Sequence, residues 1–240
     1  MINVAFVANI SDEWIAKKNY LINLLFALQS HKKNKFKIFI FCGKKIDLER
    51  KNDFKKYSTV IEDSLFDPLS IKWCLMKIEN KFFGTNYLLE KIFLKYNINI
   101  LSHNFFENLK SIKTIGWIPD FQHINLPEMF PKKIINERNK RFKNLIKTSH
   151  IILLSSYDAL NDFKKFDLEN MHKVKVLNFV CQPDSKYDNF DEISKKDLLE
   201  KYDIKDRYYY IPNQFWKHKN HMLVFKAINE FKKQNINFNV

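Results

Sequence analysis

The stretch "INVAFVANISDEWIAKKNYLINLLFALQSHKKNKFKIFIFC" (2–42) holds an apolar run, an amphipathic run and a second apolar run, in that order. "INVAFVA" (2–8) and "FKIFIFC" (36–42) are short, continuous and rich in β-branched and aromatic residues, which predicts two buried strands. Between them "KNYLINLLFALQSH" (18–31) repeats its apolar residues at three- and four-residue spacing, which predicts an amphipathic helix. A strand, a helix and a strand without hairpin signals form a β-α-β unit, and its strands lie parallel.

The same alternation continues along the chain. "STVIED" (58–63) reads as a weaker strand, and a long helical region runs from Pro68 to about Tyr96, with Gly84 as the break between two helices. Strands follow at 98–103, 113–118, 150–156 and 173–179, with helices near 132–148 and 156–166. Strands that read as continuous apolar runs between helices imply a parallel sheet covered on both faces. The expected fold class is α/β, a Rossmann-like doubly wound parallel sheet over residues 1–181.

A second pattern starts after it. "QPDSKYDN" (182–189) is a polar linker, "DEISKKDLLEKY" (191–202) a helix, "RYYYIP" (207–212) a strand and "HKNHMLVFKAINEFKKQ" (218–234) an amphipathic helix, with "INFNV" (236–240) opening another strand. Residues 182–206 are read as a linker with its helix, and 207–240 as the start of an incomplete second Rossmann-like domain, since so short a unit cannot bury its own apolar face. The expectation is a cut chain.

The 240 residues are 45% hydrophobic and 15% aromatic, enough to build a core, and exclude a disordered protein. Lysine and arginine outnumber aspartate and glutamate 41 to 27, a net charge of +14 spread along the chain, which fits an anionic partner. Aromatic-basic repeats for base stacking are not evident, so specific nucleic-acid binding is not expected. Cys42, Cys74 and Cys181 have neither metal nor redox spacing and read as free thiols. The N-terminal apolar run lacks a basic flank and ends in Asp12 and Glu13, which favours a first strand over a signal peptide, and no run approaches the ~18 apolar residues of a membrane span. The expected location is cytoplasmic, with peripheral contact to an anionic membrane surface through 73–96, "WCLMKIENKFFGTNYLLEKIFLKY", as one reading and a core-facing helix pair with a solvated basic face as the other.

Two turns carry chemistry. Ligands of open α/β sheets bind beyond the carboxyl ends of strands, where "GWIPDFQHINLPEMF" (116–130) places Pro119, Asp120, Gln122 and His123. Asp120 or His123 can hydrogen-bond a bound ligand or, for Asp120, stabilise a developing positive charge. Equally, Asp120 can cap the next turn and His123 can pack. In "YYYIPNQFWKHKNHMLVFKAI" (208–228) a strand feeds a helix N-terminus with Lys217 and Lys219 beside it, a combination suited to an anion. His218 and His221, three apart, would share a helix face, but without a definite third ligand no metal site is assigned.

Together with "LLSSYDALNDFKKF" (153–166), these two turns resemble the GT-B fold glycosyltransferases, specifically family 4-like sugar transferases of bacterial surface polysaccharide synthesis. The resemblance covers the front half of such an enzyme. It implies two Rossmann-like domains facing a cleft, the first for the acceptor and the second for a nucleotide-sugar donor, and metal-independent transfer with retention of anomeric configuration. The donor is a co-substrate, so no cofactor is expected. By the same resemblance Asp120 and His123 are the catalytic candidates, Asn104 and Gln122 contact the acceptor, and Lys219 is the phosphate-binding lysine.

Where the family commonly has an arginine six residues before that lysine, this chain has Asn213, with Gln214 or Lys217 as replacements. Where the family often has a Gly-Gly pair after strand one, it has Ala16 and Lys17, so Lys17 or Lys18 serves the phosphate by charge or the loop has lost its role. The family's pair of glutamates seven residues apart has no counterpart in this chain. The expected function is therefore sugar transfer to a glycan or glycolipid acceptor, with little or no activity from the isolated chain. The alternative is a non-catalytic acceptor-binding or membrane-associated remnant.

Overall fold

The computed structural model of the chain describes residues 1–8, 15–32, 35–103, 109–182, 192–204 and 208–236. The chain divides into two compact units, Met1–Gln182 and Pro183–Val240.

The first unit is a seven-stranded, all-parallel sheet flanked by helices. Its strands are β1 (Ile2–Val7), β2 (Phe36–Cys42), β3 (Thr59–Glu62), β4 (Ile100–Ser102), β5 (Lys113–Ile118), β6 (Ile151–Leu154) and β7 (Val174–Val176). They stand in the order β3-β2-β1-β4-β5-β6-β7. The chain builds outward from β1 in one direction, then returns to β4 on the other side of β1 and builds the opposite way. Between β1 and β4 the winding reverses, and there the carboxyl ends of the strands open a crevice.

Residue alternation within each strand explains the two covered faces. Val4, Phe6, Ile38 and Ile40 point to one face, where they pack with Leu21, Leu24 and Leu25 of helix α1 (Ile15–Lys32) and Phe54 of α2 (Leu48–Lys55). Ala5, Phe39, Phe41 and Leu101 point to the other, against Met76 of α3 (Ile71–Phe83) and Leu89 and Phe93 of α4 (Tyr87–Lys95). Beside them on that second face Ile118, Ile152 and Leu154 meet Phe142, Leu145 and Ile146 of α6 (Lys132–Thr148) and Phe163 of α7 (Tyr157–Phe166). A short helix, α5 (Gln122–Asn125), follows β5.

The helices start and stop where side chains satisfy their ends. Asp47 caps α2 by accepting from Arg50 N at 2.9 Å, Ser70 caps α3 through Trp73 N at 3.1 Å, and Ser156 caps α7 through Ala159 N at 3.0 Å. Gly84 takes φ 63° at the end of α3, which only glycine adopts without strain, and so breaks the helical region at the expected residue.

Two expectations need correction. Helix α2 was not foreseen: "LERKNDFK" buries only Phe54 and so has no apolar stripe to read. In the second unit, which contains α8 (Glu192–Lys201) and α9 (His221–Lys233), residues 208–212 do not form the expected strand. Only Tyr208 makes an isolated bridge, and Tyr208, Tyr209 and Tyr210 are exposed. Aromatic β-propensity is a weak backbone preference and does not by itself make a strand. Of the expected strand 236–240, residues 237–240 lie outside the described residues and Ile236 is not in a strand.

Candidate active site

At the reversal of the winding, β4 ends in Ser102 and delivers His103. His103 has φ 57°, a left-handed conformation that costs about 1 kcal/mol or more for a non-glycine residue and needs fixed partners. It has two. Its Nε2 lies 2.6 Å from the Tyr20 hydroxyl of α1, and its Nδ1 lies 2.8 Å from Ser102 Oγ. Burial, and next the positive charge of Lys17, lower its pKa from 6.5 to about 3, so the ring is neutral near pH 7. A neutral imidazole has one donor and one acceptor nitrogen, so the hydrogen bonds of Tyr20, His103 and Ser102 run in one direction.

Aromatic rings complete the floor. Tyr20 stacks on Trp117 of β5, centroids 4.5 Å apart and planes 9° from parallel, while Phe179 meets its edge at 5.2 Å. Trp117 donates from Nε1 to Ser155 Oγ at 3.0 Å, so its indole is held at both ends. Burial raises the Tyr20 pKa well above its ordinary value and keeps the phenol protonated.

Positive charge lies within electrostatic reach of His103. Lys17, in the first turn of α1, has its pKa lowered by burial and then by Arg141 of α6. Arg141 is lowered by burial and then by Arg138. Lys18, the other lysine considered for the altered loop, is committed elsewhere: its ammonium pairs with Asp53 at 2.9 Å and Glu49 at 3.4 Å on α2. Of the two, Lys17 is the one whose charge is felt by His103.

The turn after β5 adds a fixed negative charge. Asp120 Oδ1 accepts from Arg138 Nη2 at 2.9 Å and from Gln122 N at 3.1 Å, with 38% of the side chain exposed. It therefore caps the turn and keeps one open edge. Gln122 opens α5 with its side chain half-buried. His123 is placed differently: it is fully buried, its Nε2 2.9 Å from Asn139 Oδ1, its ring edge-on to Phe142 at 5.3 Å, and its Nδ1 without a hydrogen-bond partner. Its pKa is lowered, chiefly by burial. In this arrangement the ring packs between α5 and α6 and does not face the crevice. Asn104 lies outside the described residues.

In the second unit the sequence-predicted phosphate residues gather at one turn. A 3-10 turn, Lys217–Lys219, precedes α9, and Asn220 between them takes φ 51°. Lys219 N donates to Trp216 O at 2.9 Å, and Trp216 Nε1 donates to Gln214 Oε1 at 2.6 Å. Asn213, Gln214, Lys217 and Lys219 are all exposed at this helix start. The helix begins at His221 and not at 218, because Asn220 interrupts it in the left-handed region. His218 and His221 therefore do not share a helix face, and no cluster of three or more metal-ligating side chains occurs among the described residues.

Sequence reading missed the roles of Tyr20, His103, Trp117, Arg138 and Arg141. His103 was the findable one, since it follows the strand at which the sheet reverses. The others come together only through the packing of α1 and α6 on the sheet.

No family model and no curated protein matches the sequence. Among solved structures, 97% of the chain superposes on a glycosyltransferase from Rickettsia africae ESF-5 with a TM-score of 0.57 and 12% sequence identity. The chain spans 58% of the length of that structure. At this identity the likeness is one of fold: the Rossmann-like parallel sheet read from the sequence is that of a glycosyltransferase fold.

Proposed function

We propose that this chain belongs to a glycosyltransferase that moves a sugar from a nucleotide-sugar donor to a glycan or lipid-linked acceptor with retention of configuration, in the synthesis of cell-surface polysaccharide. The observation that carries the reading is the crevice at the β1–β4 reversal, where the neutral Tyr20–His103–Ser102 floor feels the charge of Lys17, within a fold shared with a glycosyltransferase.

The parts divide the chemistry. Tyr20, His103 and Ser102 form an uncharged relay that orients sugar hydroxyls without competing for a proton near pH 7. Asp120, kept in place by Arg138, offers negative charge to the positive charge that grows on the anomeric carbon. Lys17 and Arg141 oppose the negative charge of the departing diphosphate. Gln122 and Asn104 are assigned to the acceptor. In the second unit Lys219, with Lys217, Asn213 and Gln214, is assigned to the donor diphosphate at the start of α9. His123 acts through packing, holding α6 and with it Arg138 and Arg141.

Calorimetric titration with nucleoside diphosphates and nucleotide sugars tests the assignment. Saturable binding, weakened roughly tenfold or more in Lys219→Ala as expected for one charge-assisted contact, supports it. Glycolipid binding with no nucleotide binding would put the non-catalytic acceptor-binding module in its place.

A further inference from the structure

Helix α3 carries apolar residues on its outer side. Ile71, Leu75, Ile78 and Phe82 recur at helical spacing, so they form one stripe, and they are 81%, 50%, 50% and 71% exposed. Met76 and Trp73 supply the side packed on the sheet. The stripe is about 16 Å long at the helical rise. It is extended at one end by Leu69, 83% exposed at φ 66°, and at the other by Phe83, 75% exposed.

The charge around this stripe is predominantly positive. Residues 71–96 contain Lys72, Lys77, Lys81, Lys91 and Lys95 against Glu79 and Glu90, and both glutamates are held in hydrogen bonds. Glu79 accepts from Thr85 Oγ1 at 2.7 Å, from Leu88 N at 3.1 Å and from Tyr87 N, while Glu90 is buried and accepts from Ser111 N. Lys72 pairs with Asp63 at 3.1 Å. The other lysines are exposed, with Lys77 Nζ 5.4 Å from the Trp73 ring centre and Lys81 Nζ 5.7 Å from that of Phe82.

We propose that the outer face of α3 docks on an anionic lipid bilayer, Ile78 and Phe82 entering the headgroup boundary and Lys77 and Lys81 meeting lipid phosphates. An apolar stripe bordered by lysine is complementary to such a surface on both counts, hydrocarbon to hydrocarbon and cation to anion. A second copy fits less well, because it would bring the same lysines together in a chain of net charge +14. No described helix is long and apolar enough to cross the membrane, so the contact lies along the surface. Helix α3 starts just beyond the carboxyl end of β3, on the end of the sheet where the crevice opens, so docking brings a lipid-linked acceptor to that end. The surface stands on its own observations and holds whether or not the chain transfers sugar.

Vesicle co-sedimentation tests it. The expected result is retention on phosphatidylcholine vesicles containing about 30% phosphatidylglycerol, weaker by roughly tenfold on phosphatidylcholine alone, since each lysine at an anionic surface contributes about fivefold. Ile78→Gln/Phe82→Gln keeps the net charge and touches no core residue, and it should lower retention about tenfold with an unchanged melting temperature. Lys77→Glu/Lys81→Glu should do the same on the anionic vesicles. Equal retention of wild type and Ile78→Gln/Phe82→Gln would mean unspecific attraction of a basic protein, and overturns the proposal. So does concentration-dependent self-association of the wild type that this variant abolishes, which would assign the face to a second copy. Absence of retention on either vesicle overturns it as well.

Discussion

The Tyr20 hydroxyl lies 2.6 Å from Nε2 of His103, joining the first helix to the end of the fourth strand across the reversal of the sheet. Residues 83 apart in sequence meet there, and the two rings lie 5.4 Å apart with their planes tilted by 48°. Tyr20→Phe removes one partner and leaves a buried imidazole nitrogen unpaired. A loss of about 1–2 kcal/mol in urea-unfolding free energy is expected, the cost of one unsatisfied buried polar atom. An unchanged urea midpoint would show that the contact does not hold the crevice together.

The depressed pKa of His103 sets the acid dependence. Folded, the ring titrates at about 3, against 6.5 for the unperturbed group, so between those values the unfolded chain binds the extra proton. Its contribution to stability is therefore complete above about pH 6.5 and is lost as pH falls toward 3. Between pH 7 and pH 5 the wild type should lose about 1–2 kcal/mol more than His103→Gln, measured by urea unfolding at each pH. Parallel curves for the two proteins would remove His103 from the account.

Gly116 in β5 sits where α6 approaches most closely. A Cβ there would stand 2.7 Å from Ser149 Oγ, 2.8 Å from Leu145 Cγ and 2.9 Å from Ile152 Cδ1. Gly116→Ala must push the helix away or distort the strand, at about 1–3 kcal/mol by thermal or urea unfolding. Because α6 also carries Arg138 and Arg141, the same variant should weaken nucleotide-sugar binding. Full stability in Gly116→Ala would mean that α6 has room to move.

Asp120 and His123, three residues apart, separate into two roles that mutation distinguishes. Asp120→Asn keeps the turn's hydrogen bond from Gln122 N and loses only a partly exposed ion pair, so stability changes by less than about 1 kcal/mol. Sugar transfer should fall roughly a hundredfold or more, the usual effect of removing a group that stabilises developing charge. His123→Leu should leave turnover within about threefold, its effect appearing in stability through the lost Asn139 contact. A collapse of turnover in a folded His123→Leu protein would return the catalytic role to the histidine.

The sheet was legible because its strands are short apolar runs whose neighbours are helices, and β2, β5 and α6 fall at the residues expected from the pattern. The weaker reading of "STVIED" shrank to Thr59–Glu62, an edge strand that buries nothing fully. Helix α2 escaped because one phenylalanine is not a periodic pattern, and "RYYYIP" misled because aromatic strand composition is only a weak backbone preference, with Tyr208 alone making a bridge among residues 208–212. For the site, the turn after β5 could be found from strand direction alone, since side chains just beyond a carboxyl end must face the crevice. Which of them stays open could not: Asp120 reaches Arg138 and His123 reaches Asn139 across a helix turn whose packing is tertiary. The stacked Tyr20 and Trp117, nearly a hundred positions apart in sequence, carry no local signature at all.

The most direct test of sugar transfer is product analysis. The protein, purified as its gene encodes it, is incubated with a panel of nucleotide sugars and a lipid-linked glycan fraction, and the acceptor is followed by mass spectrometry. The account predicts a mass gain of one sugar residue with a matching donor, linked with the donor's anomeric configuration and reduced at least about a hundredfold in Asp120→Asn. No gain with any donor, from protein that is folded and binds the acceptor, would contradict it and leave a module that only binds.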